Sequence, residues 1–150
     1  MTGRFDGLVA VVTGAGSGIG LALAEALIAR GCRVLAIGRR AALLDALVSR
    51  HPADAEALAL DLADADAPAR VLATLGGRSP QWVVHNAGVI EPAGPLATLD
   101  REAFRRHWET NLAAPLFLTQ ALLTQLQAGA RILHISSGAA HNALAGCGPY

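Results

Sequence analysis

Apolar residues along this chain form short continuous runs, separated by longer segments in which apolar and polar residues mix. The runs predict five strands, at residues 8–13, 33–37, 56–60, 81–85 and 131–135. Continuous apolar runs are typical of strands buried on both faces of a parallel sheet, whereas strands with one solvated face alternate. The pattern therefore predicts a sheet that is covered by helices on each side.

The segments between the runs predict helices at residues 18–30, 41–50, 64–75 and 100–127, with Asp100 as the cap of the last one. Strands and helices thus alternate along the chain, with no change of composition that would mark a linker. Such alternation with right-handed crossovers predicts an α/β fold of the Rossmann type, a doubly wound parallel sheet in a single domain over residues 1–150. Ligands of this fold bind at the carboxyl ends of the strands.

A membrane span is the competing interpretation of residues 8–29, which are mostly apolar over a sufficient length. Glu25 and four glycines within seven residues argue against it. A strand, a tight turn and a buried helix explain the same residues, so no membrane association is predicted.

Composition narrows the classes of function. The 150 residues carry 12 basic and 12 acidic side chains, so no basic field is available to hold nucleic acid. The 16% of charged residues lies below the roughly 25% of an average domain, which predicts that a partner subunit or further chain covers part of the surface. Two distant cysteines and polar first residues without the pattern of a signal peptide predict a cytoplasmic location. Five histidines show no metal-ligand spacing, so no metal is predicted.

The first predicted strand runs into a glycine-rich turn, TGAGSGIG, from Thr13 to Gly20. Glycines at such a turn let the chain reverse sharply, let the backbone approach a pyrophosphate and let the next helix pack on the sheet. Backbone N–H groups at the start of that helix then bind phosphate. The spacing is G-x-x-x-G-x-G rather than G-x-G-x-x-G, and a tight turn without a ligand also fits it.

The turn, with further motifs downstream, resembles the short-chain dehydrogenases/reductases. TGAGSGIG matches the TGxxxGIG motif of that family, and HNAG at residues 85–88 is similar to its NNAG motif. An Asp-Leu pair follows the third strand, Asn111 lies within the long helix, and ISS at residues 135–137 ends the fifth strand. Tyr150, the only tyrosine, follows Ser137 by the 13 positions that are usual in the family. His85 and His134 stand where the family often has asparagine.

The resemblance implies a bound nicotinamide dinucleotide. The residues assigned to the nucleotide are Gly14, Ser17, Gly18, Ile19 and Gly20 in the turn, and Asp61, Leu62, Asn86, Ala87 and Gly88 after the third and fourth strands. A helix cap or surface turn is the alternative role of Asp61, and a plain turn is the alternative for residues 86–88.

Arginines after the second strand favour NADP(H) over NAD(H). An NAD-selective fold places a carboxylate there to bind the ribose 2′-hydroxyl, whereas this chain has Gly38, Arg39 and Arg40. Guanidinium groups attract a 2′-phosphate and can bind it through two hydrogen bonds. A solvated helix start is the alternative interpretation, although cations there oppose the helix dipole.

The resemblance also implies the reaction, a hydride transfer between NADP(H) and a carbonyl or alcohol substrate. Tyr150 would act as general acid and base, Ser137 would orient the substrate oxygen, and Asn111 would hold a water in the proton path. The family places a lysine four residues beyond the tyrosine, and the chain contains no lysine.

The missing lysine leads us to expect a truncated enzyme, whose C-terminal part is missing, with little or no reductase activity in the 150-residue chain. An inactive nucleotide-binding fragment is the alternative function. The apolar surface of the long helix predicts a homodimer or homotetramer, with burial against the sheet as the other explanation.

Overall fold

The protein, described over residues 5–150 by a computed structural model, contains one sheet of five parallel strands in the order β3-β2-β1-β4-β5. The strands are β1 (Val9–Thr13), β2 (Arg33–Gly38), β3 (Ala55–Ala59), β4 (Trp82–His85) and β5 (Arg131–His134). The helices are α1 (Gly18–Ile28), α2 (Ala41–Arg50), α3 (Ala67–Leu75), α4 (Arg101–Trp108) and α5 (Ala114–Leu122). This arrangement confirms the predicted doubly wound sheet. The strand order reverses between β1 and β4, which is where such a sheet opens its ligand crevice.

β1 lies at the centre of the sheet because every side chain in it tolerates complete burial. Val9 and Val11 face a cluster that includes residues of α3 and α5, while Ala10 and Val12 face a cluster formed with α1 and α2. Val11 pairs in register with Leu35 of β2 and Val83 of β4. Two hydrophobic layers therefore hold the carboxyl ends of β1 and β4 at a fixed spacing.

The edge strands depart from the predicted burial. All four residues of β5 are exposed, including Ile132 at 39% and Leu133 at 42%, and β3 is only partly buried. β5 pairs on one side only within residues 5–150, with β4. The prediction that all five strands are buried was therefore wrong for β5, because an apolar run does not show whether a layer covers it.

The predicted helix at residues 100–127 is interrupted. A π-helical segment, Glu109–Ala113, separates α4 from α5, and α5 ends at Leu122. Pro115 has no N–H to donate to the carbonyl four residues before it, which favours the wider π-helical turn at that point. Asp100 is the cap as predicted, since its Oδ1 accepts a hydrogen bond of 2.6 Å from the N–H of Ala103.

Two other helix boundaries are corrected. α1 ends at Ile28 rather than at residue 30, and the chain leaves it through Gly31, whose φ of 92° few other residues adopt. α3 begins at Ala67 rather than at residue 64, because Pro68 suits only the first turn of a helix. Among residues 5–150, no helix combines the length and the apolar character that crossing a bilayer requires.

Candidate functional site

The glycine turn after β1 is shaped by close packing as much as by conformation. Gly14 has a φ of 67°, and a Cβ on it would lie 2.7 Å from Nδ2 of Asn86. A Cβ on Gly20 would overlap the carbonyl oxygen of Gly14 and the same amide. Gly18, with a φ of 55°, faces open space. Gly14 and Gly20 therefore let the turn pack against the end of β4, while Gly18 supplies only backbone freedom.

A network of hydrogen bonds joins the ends of β1 and β4. The buried Oγ1 of Thr13 accepts from the N–H groups of Asn86 and Ala87, each at 3.0 Å, and donates to the carbonyl of Val84 at 3.3 Å. Asn86 returns a bond from Nδ2 to the carbonyl of Thr13 at 3.0 Å. Asn86 thus joins the ends of β1 and β4, which form the walls of the crevice. Thr13 is a site residue that sequence reasoning missed, although a hydroxyl at the end of an apolar strand was a usable signal.

A cleft of about 560 Å³ lies above these strand ends. Most of the predicted nucleotide residues line it: Gly14, Ser17, Arg39, Arg40, Asp61, Leu62, Asn86, Ala87 and Gly88. Gly18 and Gly20 do not line this cleft, and Ile19 lines the neighbouring one. The cleft therefore joins the glycine turn to the ends of β2, β3 and β4.

Two exposed arginines border the cleft at different places. Arg40 donates from Nη2 to Oγ of Ser17 at 2.7 Å, at the start of α1. Ser17 at the start of α1 makes no side-chain cap hydrogen bond, so the first N–H groups of the helix can bind an anion. Nη1 of Arg39 lies 4.0 Å from Oδ2 of Asp61. Oδ1 of Asp61 accepts from the N–H of Ala63, so Asp61 has the alternative surface-turn role as well.

A second cavity, of about 830 Å³, adjoins the cleft and brings the three predicted catalytic residues together. Asn111, Ser137 and Tyr150 all line it, together with Ile19. Residues 86–89 line both spaces, so the two form one groove over the end of β4.

Asn111 lies in the π-helical segment, where its side chain is fully engaged. Its Oδ1 accepts from the N–H of Val89 at 2.8 Å, and its Nδ2 donates to the carbonyl of Val89 at 2.7 Å. This pair of bonds explains how an asparagine is tolerated in the middle of a helix, since the carboxamide binds a neighbouring strand end instead of its own backbone. Asn111 therefore clamps the segment after β4, and its role toward water stays a prediction.

Ser137 and Tyr150 are carried by the segment that follows β5. Oγ of Ser137 accepts from the N–H of Ala139 at 3.2 Å, which leaves the hydroxyl proton available to another acceptor. Tyr150 donates its backbone N–H to the carbonyl of Cys147 at 3.0 Å, and its side chain is 40% exposed. Among the described residues, 5–150, neither hydroxyl proton has an acceptor, so both side chains border the cavity with an available donor.

Two histidines stand side by side at the ends of β4 and β5. His85 pairs in register with His134, and their rings stack with centroids 4.7 Å apart. His85 is 6% exposed, with Nε2 2.8 Å from Oγ1 of Thr119. Burial, and secondly the neighbouring His134, lower the pKa of His85 from 6.5 to about 4. His85 is therefore neutral in the folded protein near pH 7.

The low pKa of His85 predicts a pH-dependent stability. The unfolded chain takes up the proton first as pH falls from 6.5, so the free energy of unfolding should fall between pH 6.5 and 4. The loss from this group should be about 2–3 kcal/mol. Urea unfolding at stepwise pH tests this: His85→Asn should flatten the profile in that window, and the exposed His141→Asn should not. Parallel profiles for wild type and His85→Asn would contradict it.

Comparison with known proteins identifies the family of this chain. The family model described as short chain dehydrogenase matches residues 8–150. The chain belongs to the short-chain dehydrogenase family. Within residues 5–150, no three or more His, Cys, Asp or Glu side chains cluster as metal ligands would.

Among similar proteins, D-erythrulose reductase of Gallus gallus is 40% identical over 144 residues, which are 93% of this chain and 56% of that protein. L-xylulose reductase of Bos taurus is 36% identical, over 94% of this chain and 57% of that one. The chain thus spans a little over half the length of these curated relatives.

Solved structures of short-chain dehydrogenases superpose closely. The KRED1-Pglu enzyme has a TM-score of 0.91 at 30% identity, over 95% of this chain and 62% of its own. A carbonyl reductase from Pseudomonas aeruginosa PAO1, in complex with NADP, has a TM-score of 0.81 at 33% identity, over 87% of this chain and 61% of its own. The chain therefore shares the fold of these enzymes.

Proposed function

We propose that this chain forms the nucleotide-binding half and part of the reaction site of an NADP(H)-dependent oxidoreductase acting on a carbonyl or alcohol. The observation that carries the proposal is the single groove over the end of β4, with the glycine turn at one end and Ser137 and Tyr150 at the other. A doubly wound sheet binds dinucleotides across this crevice. The short-chain dehydrogenase family supports an oxidoreductase role.

The preference for NADP(H) rests on charge at the end of β2. Gly38 stands where an NAD-binding fold usually has a carboxylate, and Arg39 and Arg40 follow it on the rim of the cleft. A 2′-phosphate held there would gain charge-assisted hydrogen bonds from both guanidinium groups. A related carbonyl reductase was solved in complex with NADP, which is consistent with this preference.

In the reduction direction the chain would bind the nucleotide diphosphate at the uncapped start of α1 and orient the substrate beside it. When bound, the reduced nicotinamide would supply the hydride. The hydroxyl of Ser137 would hold the substrate oxygen by a hydrogen bond, and the phenol of Tyr150 would donate the proton that this oxygen requires. In the reverse direction the same phenol oxygen would receive the proton.

The substrate class is proposed from the relatives. Both curated reductases described above are named for the reduction of small ketoses, at 36–40% identity. A ketone with neighbouring hydroxyl groups is therefore the substrate class that we propose for the enzyme.

The lack of lysine in the 150 residues affects the rate of ketose reduction that we expect of the chain. A phenol has a pKa near 10 when nothing stabilises its anion, and the family uses a lysine to do so. None of the 150 residues is lysine. We therefore propose that the 150-residue chain binds NADP(H) but reduces ketoses slowly or not at all.

The proposed cofactor preference predicts how arginine variants behave. Arg39→Ala and Arg40→Ala should each weaken NADPH binding by about tenfold or more, since each removes a charge-assisted bond, and should leave the weaker NADH binding unchanged. Nucleotide fluorescence titration measures both affinities. Arg33→Ala is the matched control, because Arg33 is an exposed arginine at the opposite end of β2.

Two results would each contradict one part of the proposal. Folded wild-type chain that binds neither nucleotide would exclude a cofactor role for the cleft. Rapid NADPH oxidation by the 150-residue chain with D-erythrulose or L-xylulose would contradict the proposed slow rate, while it would support the oxidoreductase function.

The assembly of the chain into a homodimer or homotetramer stays a prediction. One face of α4 and α5 exposes Phe104, Trp108, Leu112 and Leu116, spaced four residues apart, with exposures from 36% to 59%. The opposite face buries Leu118 and Leu122 against the sheet, which is the other explanation offered for this apolar helix. The exposed face is consistent with a homodimer or homotetramer.

A further inference from the structure

His107 is a buried residue of the reaction cavity to which the proposed mechanism gives no role. It belongs to α4, a helix whose other residues are largely charged, and it is 5% exposed. It lines the cavity together with Asn111 and Tyr150. Because burial of an imidazole is costly unless its polar atoms find partners, its contacts show what holds it there.

One ring nitrogen fixes the tautomer of His107. Nδ1 lies 2.9 Å from the carbonyl oxygen of Glu91, in the segment that follows β4. A carbonyl oxygen can only accept, so Nδ1 carries the proton and donates it. This bond ties α4 to the same segment that Asn111 clamps at Val89.

The ring face carries a second contact. Nδ2 of Asn111 lies 3.0 Å from Nε2 and 3.3 Å from Nδ1 of His107. An atom in the plane of the imidazole cannot be this near both nitrogens without overlapping the carbon between them, so the amide nitrogen lies over the face of the ring. The contact is therefore an N–H···π interaction, which suits the amide nitrogen and disfavours the amide oxygen at that position. The imidazole thus packs its face on the Asn111 carboxamide in the orientation that Val89 sets.

The third contact of His107 is with Tyr150, the proposed general acid and base. The ring of Tyr150 meets that of His107 edge to face, with centroids 6.1 Å apart and planes at 82°. This geometry lies within the range that aromatic pairs prefer. The imidazole is therefore in contact with the clamp residue on its face and with the phenol ring.

We propose that His107 is a positioning residue of the reaction site: its ring face supports the Asn111 carboxamide in its bonds to Val89, and its ring holds the Tyr150 ring beside the cavity. It acts through these two residues and not on the substrate. The inference rests on the proposed oxidoreductase function, because that function makes Tyr150 the proton donor.

Two nuclear magnetic resonance signals test the proposal in the 150-residue chain. Protons over an aromatic face are shifted upfield, so the side-chain amide of Asn111, assigned with Asn111→Ser, should appear upfield in a ¹⁵N-labelled sample. Tyr150 is the only tyrosine, so 3-fluorotyrosine labelling yields one ¹⁹F signal that reports its surroundings. His107→Gln keeps a donor without a ring, and His107→Phe keeps a ring without a donor.

We expect His107→Gln to lose the upfield amide shift and to move the ¹⁹F signal toward that of unfolded chain, while His107→Phe retains both. Should His107→Gln fail to fold, retention of both signals by His107→Phe still supports the proposal. An Asn111 amide without an upfield shift in wild type, or folded His107→Gln with both signals unchanged, would overturn it.

NADPH titration of the same three proteins tests the proposed function separately. If none of them binds NADPH while the two signals behave as expected, the proposed function is contradicted and the positioning contacts stand.

Discussion

Gly20→Ala should lower the free energy of unfolding by about 3 kcal/mol or more and should abolish NADPH binding. A Cβ at this position overlaps the carbonyl oxygen of Gly14, which is backbone and cannot move without displacing the turn. The turn would separate from the end of β4, and the nucleotide cleft lies between the two. Urea unfolding and NADPH titration measure the two effects.

Gly18→Ala is the control for this prediction. It places alanine at a φ of 55° with no neighbouring atom in reach, so it should cost only about 1–2 kcal/mol of backbone strain. If Gly20→Ala were as stable as Gly18→Ala, close packing of the turn on β4 would not be what the sequence G-I-G provides.

Thr13→Val should be the second most damaging change, with a loss of about 2–3 kcal/mol in the free energy of unfolding. Valine has nearly the shape of threonine and leaves no cavity, but it removes the oxygen that accepts from the N–H groups of Asn86 and Ala87. Two partly buried N–H groups then lose their partner. Thermal and urea unfolding measure the loss.

Thr13→Ser is matched to this variant, because it removes a methyl group and retains the hydroxyl. We expect Thr13→Ser to be clearly more stable than Thr13→Val. The opposite order would mean that the methyl group, packed in the core, matters more than the link between the ends of β1 and β4.

The order of the elements was predictable because it depends on local pattern. The five apolar runs predict the strands, the glycines after the first run predict the turn, and Asp100 predicts the start of the last helix. Each of these signals lies within a few residues of sequence. The burial of β5 was not predictable in this way, since exposure depends on which layer covers the strand. The π-helical segment had a local signal in Pro115, which the apolar pattern of residues 100–127 masked.

Within the candidate site, the residues suggested by motif spacing could be located, and those acting through distant contacts could not. Thr13 bonds to residues 73 and 74 positions away, and His107 contacts a carbonyl 16 positions before it. Such contacts exist only after the sheet has assembled, and no sequence period reports them. Asn86 was placed beside the nucleotide, and its equally direct part in joining two strands is apparent only from its bonds.

The bond between Thr13 and Asn86 has a consequence for how the protein acquires its cleft. Helix α1 and strands β1, β2 and β3 are connected by short crossovers and can pair early, whereas β4 joins β1 only after a much longer loop has closed. The wall of the crevice that follows β4 is therefore added only after the first three strands have paired. A nucleotide that fits there would recognise finished molecules only, and by mass action it would draw partly assembled chains toward completion.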